Sequence, residues 1–242
     1  MKYMGSKRRL WSEISPIILS GRTPNQVYVE PFCGGCNSLC QVDGRRIASD
    51  VNPYLIAMLK SLVADKPQIY PISKETYVRA RAAYRNNDLT EFSLSDLGWI
   101  GFMASFNGKF YDGGYSGNNV ESKAGIGPAR NYIDEAIRNV LNDIDRLKGV
   151  IFKCCSYDEL IIPKGSIIYC DPPYRGTTEY TTGGFDYDRF YDWCKRMSNR
   201  GNKVYISEYW MPSEFTEIWH KEVKAHVNFE KKKTVQEKLF TI

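Results

Sequence analysis

No apolar stretch in this 242-residue chain approaches the length needed to cross a bilayer, and its N-terminus lacks the pattern of a signal peptide. A spanning protein and a secreted one are therefore both disfavoured. The seven cysteines are odd in number and follow no disulfide-framework spacing, which predicts a reducing compartment. There are no repeats and no low-complexity tract, so a solenoid is excluded. Neither sign of charge dominates. The net charge of +5 suits a polyanionic partner and equally an ordinary soluble protein. What remains is a chain long enough for one good core with a smaller inserted lobe.

Cys33, Cys36 and Cys40 fall within eight residues, a density that raises zinc or an iron–sulfur cluster. No fourth Cys or His lies nearby in sequence, and thiolate zinc sites normally close with four ligands. The expectation is no metal, with thiols packed beside a glycine turn.

Asp171, Pro172, Pro173 and Tyr174 stand directly behind the apolar run Ile167-Ile168-Tyr169. These residues describe a pocket for a planar exocyclic amine. The Asp171 carboxylate can accept one N–H and the Pro172 carbonyl, held by two fixed φ angles, the other. Tyr174 offers a face on which an extruded base can stack. The competing reading is a strand end closed by a Pro-Pro turn.

Two further patterns weigh against that reading. Val27-Tyr28-Val29-Glu30-Pro31-Phe32-Cys33-Gly34-Gly35 reads as a strand entering a turn that lets a ligand approach backbone. Arg46 to Tyr54 reads as a second strand ending in Asp50, the position where nucleotide-binding α/β sheets hold a ribose.

Together these residues resemble the D12 class of adenine-N6 DNA methyltransferases, the family of the Dam enzymes, over nearly the whole chain. The family's order is kept, from Lys2-Tyr3-Met4-Gly5-Ser6-Lys7-Arg8-Arg9-Leu10 through Glu30-Pro31-Phe32-Cys33-Gly34-Gly35 and Asp50-Val51-Asn52-Pro53-Tyr54 to Tyr169-Cys170-Asp171-Pro172-Pro173-Tyr174 and Ser207-Glu208-Tyr209. Cys36 stands where the family usually has a third glycine. The resemblance implies a Rossmann-like S-adenosylmethionine-dependent α/β sheet over 1–64 and 146–242, with a mainly helical target-recognition lobe inserted at 65–145. It implies methyl transfer to N6 of a flipped adenine, with Asp171, Pro172, Pro173 and Tyr174 catalytic. Tyr3, Gly5, Lys7, Glu30, Phe32, Gly34, Gly35, Asp50, Ser156, Tyr157 and Asp171 are then the expected S-adenosylmethionine contacts. Double-stranded DNA is the implied partner, no obligate protein partner is evident, and the implied compartment is the cytoplasm of a bacterial or phage-infected cell.

Helical stripes are read at Leu10, Ile14, Ile17 and Ile18; at Leu55, Met58, Leu59 and Leu62; at Ile133, Ile137, Val140, Leu141, Ile144 and Leu147; and at Phe190, Trp193, Cys194 and Met197. Phe106 to Asn119, rich in aromatics, glycine and amides, reads as a flexible hairpin able to hydrogen-bond base edges. Lys109, Lys123, Arg130 and Asn131 are the candidate DNA contacts, with Arg79, Arg81 and Arg85 as candidate phosphate holders. Arg175 to Phe185 reads as a lid hinged at Gly183-Gly184. Lys221, Lys224 and Lys231 to Lys233 make a basic end segment, read as a solvated surface. Cytosine-C5 chemistry needs a cysteine after proline, and no Pro-Cys pair occurs. RNA or protein-amide methylation, and DNA binding without turnover, remain the alternatives.

Overall fold

A computed structural model describes residues 1, 3, 5–64, 69–117, 130–175, 184–228 and 231–242, with backbone alone at 224–228 and 231–233. Seven strands form one sheet: β1 (Tyr28–Glu30), β2 (Arg46–Asp50), β3 (Ile151–Cys154), β4 (Ile167–Cys170), β5 (Lys203–Glu208), β6 (Thr216–Asn228) and β7 (Lys231–Thr241). Their order is β3-β2-β1-β4-β5-β7-β6. β1 runs parallel to β2 and β4, and β4 parallel to β5. β7 is antiparallel to β5 and to β6. The expected Rossmann-like α/β sheet is thus present, with an antiparallel hairpin at one edge. Strand order reverses between β1 and β4, and in such sheets ligands bind beyond the carboxyl ends of the strands at that reversal. Glu30 closes β1 there, and Asp171 follows β4.

The Cα packing divides the chain into two compact units. One comprises Met1–Arg9, Gly34–Asp43 and Asp50–Cys154, and the other Leu10–Cys33, Gly44–Ser49 and Cys155–Ile242. In the second unit, every residue of β1 and of β4 is buried. Continuous burial is what a central parallel strand requires, since helices cover both faces. Helix α1 (Trp11–Ile18) lays Trp11, Ile14 and Ile18 inward, and Trp11 meets Tyr28 edge-on at 6.4 Å. Leu10 and Ile17 of the expected stripe stay partly exposed. The helix Tyr187–Asn199 buries Phe190, Trp193, Cys194 and Met197 as its spacing predicts, against Val29, Ile168, Val204 and Ile206. Each large apolar side chain buried this way stabilises the fold by about 1.5–3 kcal/mol.

The first unit is helical: α2 (Pro53–Leu62), α3 (Lys74–Arg85), α4 (Leu94–Ala104) and α5 (Tyr132–Leu147), which makes Tyr187–Asn199 α6. Each start is fixed by a side chain that satisfies early N–H groups. Asn52 accepts from Tyr54 N and Leu55 N, Ser93 and Asp96 form a capping box, and Asn131 accepts from Ile133 N and Asp134 N.

The expected boundaries at 64/65 and 145/146 do not coincide with these units, because α2 packs with the helices that follow it. A Cβ on Gly98 of α4 would lie 2.2 Å from the Tyr54 carbonyl oxygen, so only glycine lets the two backbones meet this closely. Tyr54, Tyr84 and Phe110 complete the seam, with ring centroids 4.9–5.5 Å apart.

Candidate active site

In the second unit, the tetrad end is held by two carboxylates, one buried and one half-buried. Glu208, 1% exposed at the end of β5, accepts from Arg175 N at 3.1 Å and from Tyr209 N at 2.7 Å. One side chain therefore ties the segment after β4 to the segment after β5. The Tyr174 hydroxyl donates to Glu237 of β7 at 3.0 Å, and the Tyr174 ring stands edge-on to Tyr209 at 4.6 Å and 89°. Tyr187 OH donates to the Pro173 carbonyl at 3.2 Å. These bonds fix the Pro-Pro-Tyr turn from three sides. Asp171 is half-buried at its start.

Beside it, Tyr28 OH donates to Glu30 Oε1 at 2.8 Å, and Glu30 is only 2% exposed. Tyr169 OH and Ser207 Oγ share a 2.8 Å hydrogen bond. Burial, reinforced by Glu30 for Tyr28 and by Asp171 for Tyr169 and Tyr174, pushes all three phenols well above their ordinary pKa. They keep their protons, and Tyr28 and Tyr174 act as donors to carboxylates.

Phe32 leads from β1 into an aromatic cluster, stacked on Tyr157 at 5.4 Å and edge-on to Phe185 and Phe190. Tyr157 is thereby brought to the Phe32 end of this unit. The Ser156 hydroxyl donates to Asp158 Oδ1, and its N–H donates to Glu159 Oε2 at 3.1 Å.

In the first unit, the turn after β1 is shaped by backbone. Gly34 takes φ +43°, and its N–H donates to Asp50 Oδ2 at 3.1 Å, while Asn52 N donates to Oδ1 at 2.9 Å. Burial raises the Asp50 pKa, and the N–H groups of Asn52, Gly34 and Val51 oppose that rise. Tyr3 lies on this turn. A Cβ on Gly34 would meet Tyr3 Cε1 at 2.7 Å, and one on Gly35 would meet Tyr3 Cβ at 2.8 Å. Lys7 is buried and donates from Nζ to Gly5 O at 3.3 Å. Tyr3, Gly5, Lys7, Gly34, Gly35 and Asp50 therefore share one compact unit. Cys36, where the family pattern has glycine, also adopts a left-handed conformation at φ +54°. Its thiol and that of Cys40 donate to the carbonyls of Gly34 and Asn37. Burial pushes the Cys40 thiol up to about 11. Among the described residues no group of three metal-binding side chains forms.

The DNA candidates fare unevenly. Lys109 is exposed, but the hairpin around it is less free than its composition suggests. Tyr111 is 1% exposed, donates from OH to Leu97 O at 3.0 Å, and its N–H donates to Ser105 Oγ at 3.0 Å. The segment up to Gly117 is thus packed on α4. Arg130 forms a bidentate pair with Glu135, and Asn131 is the cap of α5. Arg79 pairs with Glu91. Lys123, Asn118 and Asn119, and the lid residues from Gly176 to Gly183, lie outside the described residues. The basic end segment is the β6–β7 hairpin, in which Lys221 pairs with Glu13.

Sequence reasoning passed over three carboxylates. Glu208 stands within the quoted Ser-Glu-Tyr motif, yet nothing there signals a buried double acceptor. Glu237 sits in a lysine-rich strand. Asp143 falls on the buried face of α5, where Arg8 donates to it at 2.5 and 3.1 Å. That face buries Ile133, Ala136, Val140, Asp143 and Leu147, leaving Ile137, Leu141 and Ile144 half-exposed.

The family profile described as D12 class N6 adenine-specific DNA methyltransferase matches residues 3–235. The Retron Ec67 DNA adenine methylase of Escherichia coli is 27% identical over 221 residues, covering 86% of this chain and 75% of the relative. The DNA adenine methylase of Vibrio cholerae is 29% identical over 209 residues, covering 78% and 71%. The type II methyltransferase M.FokI of Planomicrobium okeanokoites is 26% identical over 223 residues, which span 80% of this chain but 31% of that protein. Among solved structures, the SAH complex of SMU.472 aligns at a TM-score of 0.41 with 12% identity, covering 98% of this chain and 52% of that one, a likeness too distant to argue from.

Proposed function

The chain belongs to the D12 class of N6 adenine-specific DNA methyltransferases, with S-adenosylmethionine as its cofactor and adenine in DNA as its target, and from that premise we propose how its residues perform the transfer. The observation that carries the reading is the placement of Asp171. It follows β4 at the reversal of strand order, on a turn whose far end is fixed by Glu208, Glu237 and Tyr187. A carboxylate and a Pro carbonyl at the start of such a turn can accept both N–H groups of an exocyclic amine and set the direction of its lone pair.

S-adenosylmethionine supplies a methyl group already activated on a sulfonium, so the chain's work is placement and exclusion of water. Asp171 and the Pro172 carbonyl hold the adenine amine. As the N–C bond forms, the methyl–sulfur bond would break with its electron pair left on sulfur as a neutral thioether, and the Asp171 carboxylate stabilises the positive charge that grows on the nitrogen. The nitrogen then releases one proton to solvent. Tyr174, its hydroxyl anchored to Glu237, presents its ring to a base turned out of double-stranded DNA.

The donor set suits the cofactor. The Asp50 carboxylate accepts backbone N–H groups from Gly34 and Asn52, and its remaining lone-pair capacity can take a ribose hydroxyl. Lys7 matches a carboxylate and Glu30 an ammonium, the two ends of an amino acid. Tyr3, Gly5, Gly34 and Gly35 in one unit, and Phe32, Ser156 and Tyr157 in the other, are the further candidate contacts to the cofactor. Lys109, Lys123, Arg130 and Asn131 remain the candidate contacts to DNA. Arg130 and Asn131 would have to leave the bonds they make to α5.

The direct test is incubation with S-adenosylmethionine and unmethylated genomic DNA, followed by single-molecule sequencing for N6-methyladenine. A consistent modified motif is expected. Asp171→Ala should lower transfer by about 10²–10³-fold while calorimetry still shows cofactor binding. Full turnover in Asp171→Ala would overturn the amine assignment, and cofactor binding without any methylated product would favour a binding-only protein.

A further inference from the structure

We propose that Arg175 and Trp210 form a subsite for the DNA phosphodiester beside the extruded adenine, an inference that rests on the reading above. Arg175 directly follows Tyr174, and Trp210 directly follows Tyr209. Because Glu208 accepts from both Arg175 N and Tyr209 N, the two residues emerge together at the carboxyl ends of the neighbouring parallel strands β4 and β5. The Arg175 guanidinium carbon lies 5.6 Å from the Trp210 ring and 5.6 Å from the Tyr187 ring.

Four other arginines, Arg8, Arg79, Arg130 and Arg189, are each paired with a carboxylate. Arg175 is different. Among the described residues no carboxylate forms an ion pair with its guanidinium, and two aromatic rings hold it instead. Tyr191 also lies beside this guanidinium, but with five N–H donors the group still has enough to take a phosphate through two parallel bonds while the rings restrain it. Trp210 is 54% exposed, a large apolar ring left in solvent at the end of the sheet where ligands approach. It can stack on a base next to the extruded one. The ligand class is therefore the sugar-phosphate chain and a stacked base, recognised without regard to sequence.

The test uses the full chain, S-adenosylhomocysteine and a duplex bearing the methylated motif found by sequencing, with binding followed by anisotropy over a range of salt. Loss of one phosphate contact should reduce the slope of log K against log salt by about 0.9 in Arg175→Gln, while Arg175→Lys keeps the charge and the slope. Cofactor affinity by calorimetry should be unchanged in both. An unchanged slope in Arg175→Gln overturns the proposal. Should Arg175→Gln lose cofactor binding as well, Trp210→Ala decides: a loss of DNA affinity of roughly 5- to 150-fold with cofactor binding intact supports the subsite, and wild-type affinity overturns it. A wild-type protein that neither binds nor methylates DNA would instead overturn the functional reading itself.

Discussion

The turn after β1 and the turn after β4 are both ends of parallel strands, yet they are shaped by different forces. After β1 the chain is bent by backbone conformation, with Gly34 at φ +43° and Cys36 at φ +54°, and Asp50 receives N–H groups that the bend has already aimed. After β4 no described residue has positive φ. The bend comes from two prolines, and its position from carboxylates of β5 and β7 that accept from Arg175 N, Tyr209 N and Tyr174 OH. A turn set by backbone leaves space against it for a ligand or a ring such as Tyr3. A turn set by buried acceptors can place a reacting group firmly while the residues around it stay variable.

Removing Glu208 should therefore have the largest effect on stability. In Glu208→Ala two part-buried N–H groups lose the charged acceptor that Glu208 provides, at about 1–3 kcal/mol each. For a chain of this size that lowers the melting temperature by roughly 4–24 °C. Glu208→Gln restores one acceptor and turns an NH2 toward the other N–H, so it should recover only part of the loss. A Glu208→Ala melting curve that overlays wild type would erase the distinction between the two turns.

The same distinction explains what was legible in the sequence. Asp171 to Tyr174, Gly34, Gly35 and Asp50 carry their chemistry in their residue types, and the apolar runs around β1, β4 and α6 point to buried elements by composition and period. Glu208 and Glu237 look like any other glutamates, because a buried acceptor is defined by which N–H and O–H groups converge on it, and those come from distant strands. The β6–β7 hairpin was hidden for a related reason. Its strands carry lysines and glutamates at an edge, where paired charges such as Lys238–Glu217 and Lys221–Glu13 replace an apolar pattern. Phe106 to Gly117 looked flexible because its glycines are visible in the sequence, whereas the Tyr111 anchor to Leu97 is not.

A smaller effect is expected at Asp143, which holds Arg8 and with it the segment bearing Lys7. Burial alone would raise the Asp143 pKa, but the Arg8 hydrogen bonds and the positive charges of Arg8 and the α-amine outweigh it and hold it below 3.8. A depressed carboxylate stabilises the fold fully above its unfolded value and loses that contribution as pH falls through the folded one. Asp143→Asn should cost about 1–2 kcal/mol at neutral pH, toward the low end because Arg8 is half-exposed. The gap to wild type should close below pH 3.8, and a pH-independent gap in urea midpoints would assign the loss to packing instead.

The finest test lies at Cys36. In ordinary backbone, alanine is more stable than glycine by roughly 0.4–1 kcal/mol, because glycine has more freedom to lose on folding. At φ +54° the order should reverse. Both substitutions remove the buried thiol and its contact with the Gly34 carbonyl, so that loss largely cancels between them. What is left is the left-handed conformation, which costs an L-residue about 1–2 kcal/mol and glycine little. Cys36→Gly should accordingly be the more stable of the pair by up to about 1 kcal/mol in urea denaturation. If alanine wins, the turn after β1 is not set by backbone conformation, and the contrast with the tetrad end rests on the carboxylates alone.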